Sequence, residues 1–214
     1  MHTKAPPPLP SPIYEWTGLY IGGHLGGAFP SGTSFNSLGN STDQNNRFLG
    51  GLQVGYDWQF VPSWVLGIEG EYSWLAGNNN GAFPTGLTYN NNQRGLGSVT
   101  GRLGYTWGPG LIYVKGGYAF SDNNETVSLL GAPTAFAING NHRDGYTVGA
   151  GLEYMFTQNW SAKIEYQYYK LGDANFVIPA QLATVGRFTT EDHTVKAGVN
   201  YHFNWGNPLI SKGL

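Results

Sequence analysis

TTEDHTVKAGVNYHF, from Thr189 to Phe203, is the stretch whose pattern decides the fold. From His193 onward one parity holds His193, Val195, Ala197, Val199, Tyr201 and Phe203, and the other holds Thr194, Lys196, Gly198, Asn200 and His202. A period of two marks a strand with one apolar and one polar face. The apolar row turns aromatic toward its end, as a strand does where it leaves hydrocarbon through an interfacial belt. Such a strand needs a partner on each edge.

The chain supplies seven more segments with the same alternation: Glu15–Phe29, Arg47–Phe60, Val65–Ala76, Gln93–Trp107, Leu111–Phe120, Asp144–Phe156 and Trp160–Leu171. In the first, Leu19, Ile21, Leu25 and Phe29 oppose Trp16, Gly18, Tyr20, Gly22, His24 and Gly26. Glycines on that parity keep a barrel wall thin inside and admit larger side chains from opposite strands. Three connections are tight, at Val61–Trp64, Gly108–Gly110 and Thr157–Asn159. Four are long and read as loops from their Asn, Gly and Ser content: Pro30–Asn46, Gly77–Asn92, Ser121–Arg143 and Gly172–Phe188, the third prolonging its flanking strands if it projects beyond the membrane. Strict alternation of long and short connections between an even number of strands predicts an all-β fold. It is a transmembrane, eight-stranded, antiparallel up-and-down β-barrel with four long extracellular loops, three short periplasmic turns and both termini periplasmic. Residues 1–14, with five prolines among the first twelve, form a periplasmic arm, residues 15–204 the barrel and residues 205–214 a tail.

Composition agrees with short strands at close approach. The 214 residues include 33 glycines and 15% aromatics but only 11% charged residues, where about 25% is typical of soluble domains. No run of about 18 apolar residues offers a transmembrane helix, a test that a barrel escapes because only alternate residues face lipid. The net charge of -2, without a basic patch, excludes nucleic acid as a partner. Cysteine is absent, which removes disulfides and thiolate chemistry. The opening MHTKAPPPLPSP has no apolar signal core, so an exported protein stands here in mature form, its signal peptide belonging to the precursor.

Asp57, Glu69, Glu71, Glu153 and Glu165 all fall on the polar parity, as do Arg102, Lys115, Lys163 and Lys196. A soluble, lipocalin-like carrier would display such charges and line its cavity with the aromatics. Here the opposite parity of every strand carries large aromatics, so the charges belong inside, away from lipid. Eight strands leave room for little beyond side chains, which predicts a packed ionic network with every charge paired and no wide pore. Glu69 and Glu71 sit on one face of one strand, yet the basic interior residues account for them without acid–base catalysis, and no nucleophile–base arrangement exists elsewhere. His24 and His202 lie on the inward parity of the first and last strands. A hydrogen-bonded interior pair outweighs a shared metal, since no further ligand stands at motif spacing. His142 and His193 lie near loop ends, where ordinary surface histidines are favoured over ligands of an extracellular group such as haem. Trp58, Phe60, Trp64, Trp107, Phe156, Trp160, Tyr201 and Phe203, with Tyr105 and Tyr154, cluster beside the tight turns as a periplasmic girdle. Phe29, Tyr72, Trp74, Tyr118 and Phe120 form the outer one.

The segments WTGLYIGGHLGG (Trp16–Gly27), GGLQVGYDWQF (Gly50–Phe60), GSVTGRLGY (Gly97–Tyr105), VGAGLEYMFTQNWSAKIEYQYY (Val148–Tyr169) and HTVKAGVNYHF (His193–Phe203) together resemble the Omp25/Omp31-type outer-membrane barrels of alphaproteobacteria. The resemblance covers nearly all of the chain after the proline-rich arm. It implies a monomeric, non-enzymatic, porin-like surface antigen of a Gram-negative outer membrane. Such a protein would sit among lipopolysaccharide, support envelope integrity and contact peptidoglycan or a host surface. It implies no cofactor. Some relatives are described as haem-binding or porin-like, and the alternative reading is a narrow small-solute or ion porin or a haem-binding surface protein using the long loops, although no residue motif here carries either activity. One departure is that family members usually end on the aromatic residue of the last strand, whereas Phe203 is followed by Asn204–Leu214.

Overall fold

The computed structural model describes residues 14–33, 46–76, 79–82, 87–129, 132–137, 142–174 and 188–203. Period-two segments within them form β1 (Gly18–Thr33), β2 (Arg47–Val61), β3 (Trp64–Ala76), β4 (Asn79–Ala82), β5 (Leu87–Trp107), β6 (Gly110–Leu129), β7 (Ala132–Ala137), β8 (His142–Met155), β9 (Trp160–Ala174) and β10 (Phe188–Phe203). Eight of these close into a ring in the order β1, β2, β3, β5, β6, β8, β9, β10, every neighbour antiparallel. β1 meets β10 from Leu19↔Phe203 to Thr33↔Thr190, so no edge of the ring is left unpaired. The proline-rich arm before residue 14 and the tail after Phe203 lie outside the described residues.

The three tight turns fall at one end of the barrel, beside the start of β1 and the end of β10. Pro62 and Ser63 join β2 to β3. Gly108 and Pro109 join β5 to β6, with Gly108 at φ 75°, a conformation that side-chain-bearing residues rarely take. Between β8 and β9, the Thr157 Oγ1 accepts the backbone N–H groups of Asn159 (3.3 Å) and Trp160 (3.0 Å). The Asn159 side chain donates to the His202 carbonyl at 2.9 Å, pinning the end of β10 to this turn.

The opposite end corrects one loop assignment and, in the other, shows the expected alternative of prolonged flanking strands. Gly77–Asn92 contains β4 and the beginning of β5, and Ser121–Arg143 contains the end of β6, all of β7 and the beginning of β8. The β5–β6 ladder runs on to Leu87↔Leu129, with β4 paired to β5 and β7 to β6. Asn-rich sequence has low strand propensity, but a long antiparallel partner satisfies its backbone groups and overrides that preference.

Alternation assigns the faces. Leu25, Leu52, Ile68, Val114 and Ile164 are all more than half exposed on the outer surface, while Asp57, Glu69, Gln167 and Asn200 are fully buried within. That is the inverse of a barrel built for water, and the outer surface forms a continuous apolar wall. Inside, glycine makes room. A Cβ at Gly55 would collide with the Tyr20 hydroxyl, and one at Gly22 with Asn200 and the Val199 carbonyl.

Candidate functional site in the barrel interior

At mid-height three glutamates face three lysines. Glu69 and Glu71 project from β3, Glu165 and Lys163 from β9, Lys115 from β6 and Lys196 from β10. The Lys115 Nζ reaches Glu69 and Glu165 at 2.8 Å and Glu71 at 3.2 Å. Lys163 reaches Glu69 at 2.9 Å and Glu165 at 3.6 Å. Lys196 reaches Glu71 at 2.7 Å and Glu165 at 2.9 Å, and also donates to Gln167. Carboxylate oxygens of the three glutamates lie within 4.8 Å of one another, the spacing of a cation site, but three ammonium groups already neutralise them. Three buried tyrosines complete the layer, Tyr20 donating to Glu69 (2.8 Å), Tyr113 to Glu165 (2.8 Å) and Tyr169 to Glu71 (2.5 Å).

Nearer the turns lies a second ionic layer. The Arg102 guanidinium forks onto both oxygens of Asp57, with Nε at 2.7 Å from Oδ1, and reaches Glu153 at 3.1 Å. The guanidinium carbon lies over the Tyr20 and Tyr113 rings at 4.7 and 5.1 Å from their centroids, so the same tyrosines contact this layer and hydrogen-bond the next. Glu153 also accepts from Asn200 (2.7 Å) and Ser161, with His202 at 3.4 Å.

Apolar layers bracket this ionic column. At the turn end Trp16 is fully buried against Val65, Leu111, Tyr113 and Met155. Its backbone N–H donates to Gln59 Oε1 at 3.1 Å, its indole N–H to the Gly108 carbonyl at 3.4 Å, and its ring meets His202 edge-on at 5.7 Å. The segment ahead of β1 thus turns into the barrel mouth rather than extending the strand, which corrects the start at Glu15. At the opposite end Leu96, Ala119, Tyr169 and Leu171 form a second apolar cluster, with the buried Arg47–Asp192 pair (3.9 Å) at the same end.

The structure places all nine charged residues of the polar parity inside and joins them into these two layers. The histidine pair is corrected. His24 bonds Gln53 (2.5 Å) and Ser73 (2.7 Å), while His202 bonds Ser161 (2.9 Å). The β1–β10 register explains the separation, since His24 faces Gly198 and His202 faces Tyr20. On the outer surface Trp58, Phe60, Trp64, Trp107, Phe156 and Trp160 are exposed and Tyr201 and Phe203 half-exposed, all beside the turns. His193 lies at the other end between Tyr166 and Tyr168, with Nδ1 2.6 Å from the Tyr166 hydroxyl, and the His142 side chain lies outside the described residues. Trp16, Tyr20 and Asn200 already stand on the inward parity read from sequence and are buried as it predicts, while Tyr113, Tyr169, Arg47, Asp192, Gln53 and Gln167 were not singled out, though the parity of their own strands was the signal that could have found them.

A closed antiparallel wall, apolar outside and ionic within, defines a transmembrane β-barrel of the outer-membrane type. Residues 10–203 match the family described as outer membrane protein beta-barrel domain, and the chain belongs to that family. It is 32% identical over 217 residues to the 31 kDa outer-membrane immunogenic protein of Brucella melitensis, covering 94% of this chain and 89% of the relative. It is 28% identical over 197 residues to the 22 kDa outer membrane protein of Rhizobium leguminosarum bv. viciae, covering 90% and 80%. Among solved structures, the outer membrane protein OprG of Pseudomonas aeruginosa superposes with a TM-score of 0.51 at 12% identity, covering 90% of this chain and 99% of that one, a likeness of fold. The protein is a β-barrel of a Gram-negative outer membrane.

Proposed function

We propose that the barrel works closed, as a monomeric wall element of the outer membrane whose loops make its contacts. In this reading the three turns and both termini face the periplasm, residues 1–14 serve as a spacer toward peptidoglycan, residues 15–204 span the membrane and residues 205–214 trail from it. Four loops stand outside, available to a host surface. The buried acids, bases and His24 and His202 act as a structural plug, and the aromatics beside the turns anchor the barrel at the inner interface.

The observation that carries this reading is the layered interior: two ionic layers, fully paired and packed, between apolar clusters at Trp16 and at Leu96 and Leu171. A water-continuous path would have to open both apolar layers and separate ion pairs that are costly to break singly. Planar-bilayer recordings on refolded, heat-modifiable protein are expected to be silent. Reproducible single-channel steps would overturn the closed barrel in favour of a narrow porin.

A further inference from the structure

Among the described residues Trp16 is the one buried side chain that stands outside a strand. The last pairs of β1 are Gly18↔Asp57 and Leu19↔Phe203, and at Gly18 the backbone takes φ 151° and leaves both ladders. A Cβ at Gly18 would come within 2.9 Å of the Phe203 carbonyl oxygen, so this bend requires glycine. Ahead of it, Tyr14–Thr17 crosses the turn-end mouth of the barrel. The segment is tied there through the two Trp16 N–H groups and through the Thr17 hydroxyl oxygen, which accepts the Gln59 backbone N–H at 3.1 Å. The rest of its hold is the packing of Trp16 and Tyr14 on Val65, Leu111, Tyr113 and Met155.

The groups that receive this segment keep other partners. The Gly108 carbonyl also accepts the Thr106 hydroxyl at 3.2 Å, and the Gln59 side chain, half-exposed, donates to the Pro62 carbonyl at 2.7 Å. Behind the indole, His202 retains Ser161, and Glu153 retains Arg102 and Asn200. Lifting the segment therefore unpairs no strand and strands no buried charge. Its effect is to admit water to the layer of Asp57, Arg102, Glu153 and His202. Every other buried side chain described belongs to a strand whose ladders would have to break before it could leave. We propose that Tyr14–Thr17 is a strap that opens and closes over the mouth as one unit while the eight-stranded wall stays intact. The glutamate–lysine layer and the Leu96–Leu171 cluster keep the barrel shut when it opens, so hydration of the lower layer creates no conducting path. Residues 1–13 lead covalently into the strap, and a partner or load on them acts on Trp16 before it acts on any strand. The strap goes beyond the closed-barrel reading and holds whichever side of the membrane the turn end faces.

The chain has no cysteine, so one introduced thiol is a unique target. Met155→Cys places it beneath Trp16, and Ser98→Cys places a control beside Glu71 in the mid-height layer. A charged methanethiosulfonate added to refolded, heat-modifiable protein is expected to label Met155→Cys about tenfold or more faster than Ser98→Cys, because local opening is more frequent than loss of the barrel. Adding Trp16→Ala should speed labelling of Met155→Cys by about a hundredfold, the scale of one buried indole, and leave Ser98→Cys protected. Leu111→Cys serves if Met155→Cys does not refold. Equal rates for the mouth thiol and the control overturn the proposal, since the mouth then opens only with the whole barrel. Equal rates at the mouth with and without Trp16 also overturn it, since the strap then covers nothing. Channel steps in a bilayer would instead refute the closed barrel and leave these rates as the measure of the strap.

Discussion

On the inner face of the wall, a side chain at Gly55 would strike the Tyr20 hydroxyl and one at Gly151 would strike that of Tyr113. On the outer face, a Cβ at Gly70 or Gly101 comes no nearer than 3.9 or 4.0 Å to any neighbour. The inner glycines are the complement of specific large residues across or beside them, as fixed as a keyhole. Gly70 and Gly101 are free of that demand, whereas Gly95 and Gly97 on the same face lie under the rings of Tyr72 and Phe120. The same difference separates the charges. Inside, each is held by a partner of opposite sign, while the mid-height outer surface is aliphatic and tolerant in shape.

The largest predicted effect comes from reversing an interior charge. Lys196→Glu places a fourth carboxylate against Glu71 and Glu165 and should cost about 5 kcal/mol or prevent refolding, followed by urea unfolding in detergent. An unchanged midpoint would put Lys196 outside the network. Trp16→Ala empties the turn-end cluster and should cost about 3 kcal/mol in the same assay, with Trp16→Phe recovering part of it. Gly151→Val forces a branched side chain into Tyr113 and should cost about 2 kcal/mol. Gly70→Val, the same change on the other face, should alter stability by less than about 0.5 kcal/mol. Equal losses for Gly151→Val and Gly70→Val would dissolve the distinction between the two faces.

Much of this architecture was legible in the sequence because a strand has only two faces. Once Val195, Val199 and Tyr201 are given to lipid, Lys196, Asn200 and His202 must point inward. Which acid meets which base was not legible. Lys196 reaches Glu71 across the barrel, a contact set by strand tilt and stagger rather than by spacing in the chain. The same blindness to register produced the expected His24–His202 pair. Trp16 stands on the inward parity, but its partners were not legible, because ahead of β1 the backbone leaves the ladder and its polar groups are taken up by Gln59 and Gly108. The strands at Asn79–Ala82 and Ala132–Ala137 were hidden because local propensity opposed them while pairing with the adjoining ends of β5 and β6 decided the outcome.

The seam between β1 and β10 also governs the order in which the molecule can be made. Leu19 pairs with Phe203 and Leu25 with Ala197, so the ladder that shuts the ring joins the two extremes of the described chain. No hairpin can form it early, and its loop-closure entropy is the greatest of any pairing in the ring. Seven ladders between sequence neighbours are available to zip first, leaving an open, curved sheet whose two bare edges are the last groups to find partners. The barrel is therefore committed to its membrane by a single late event, and that event waits for the final strand.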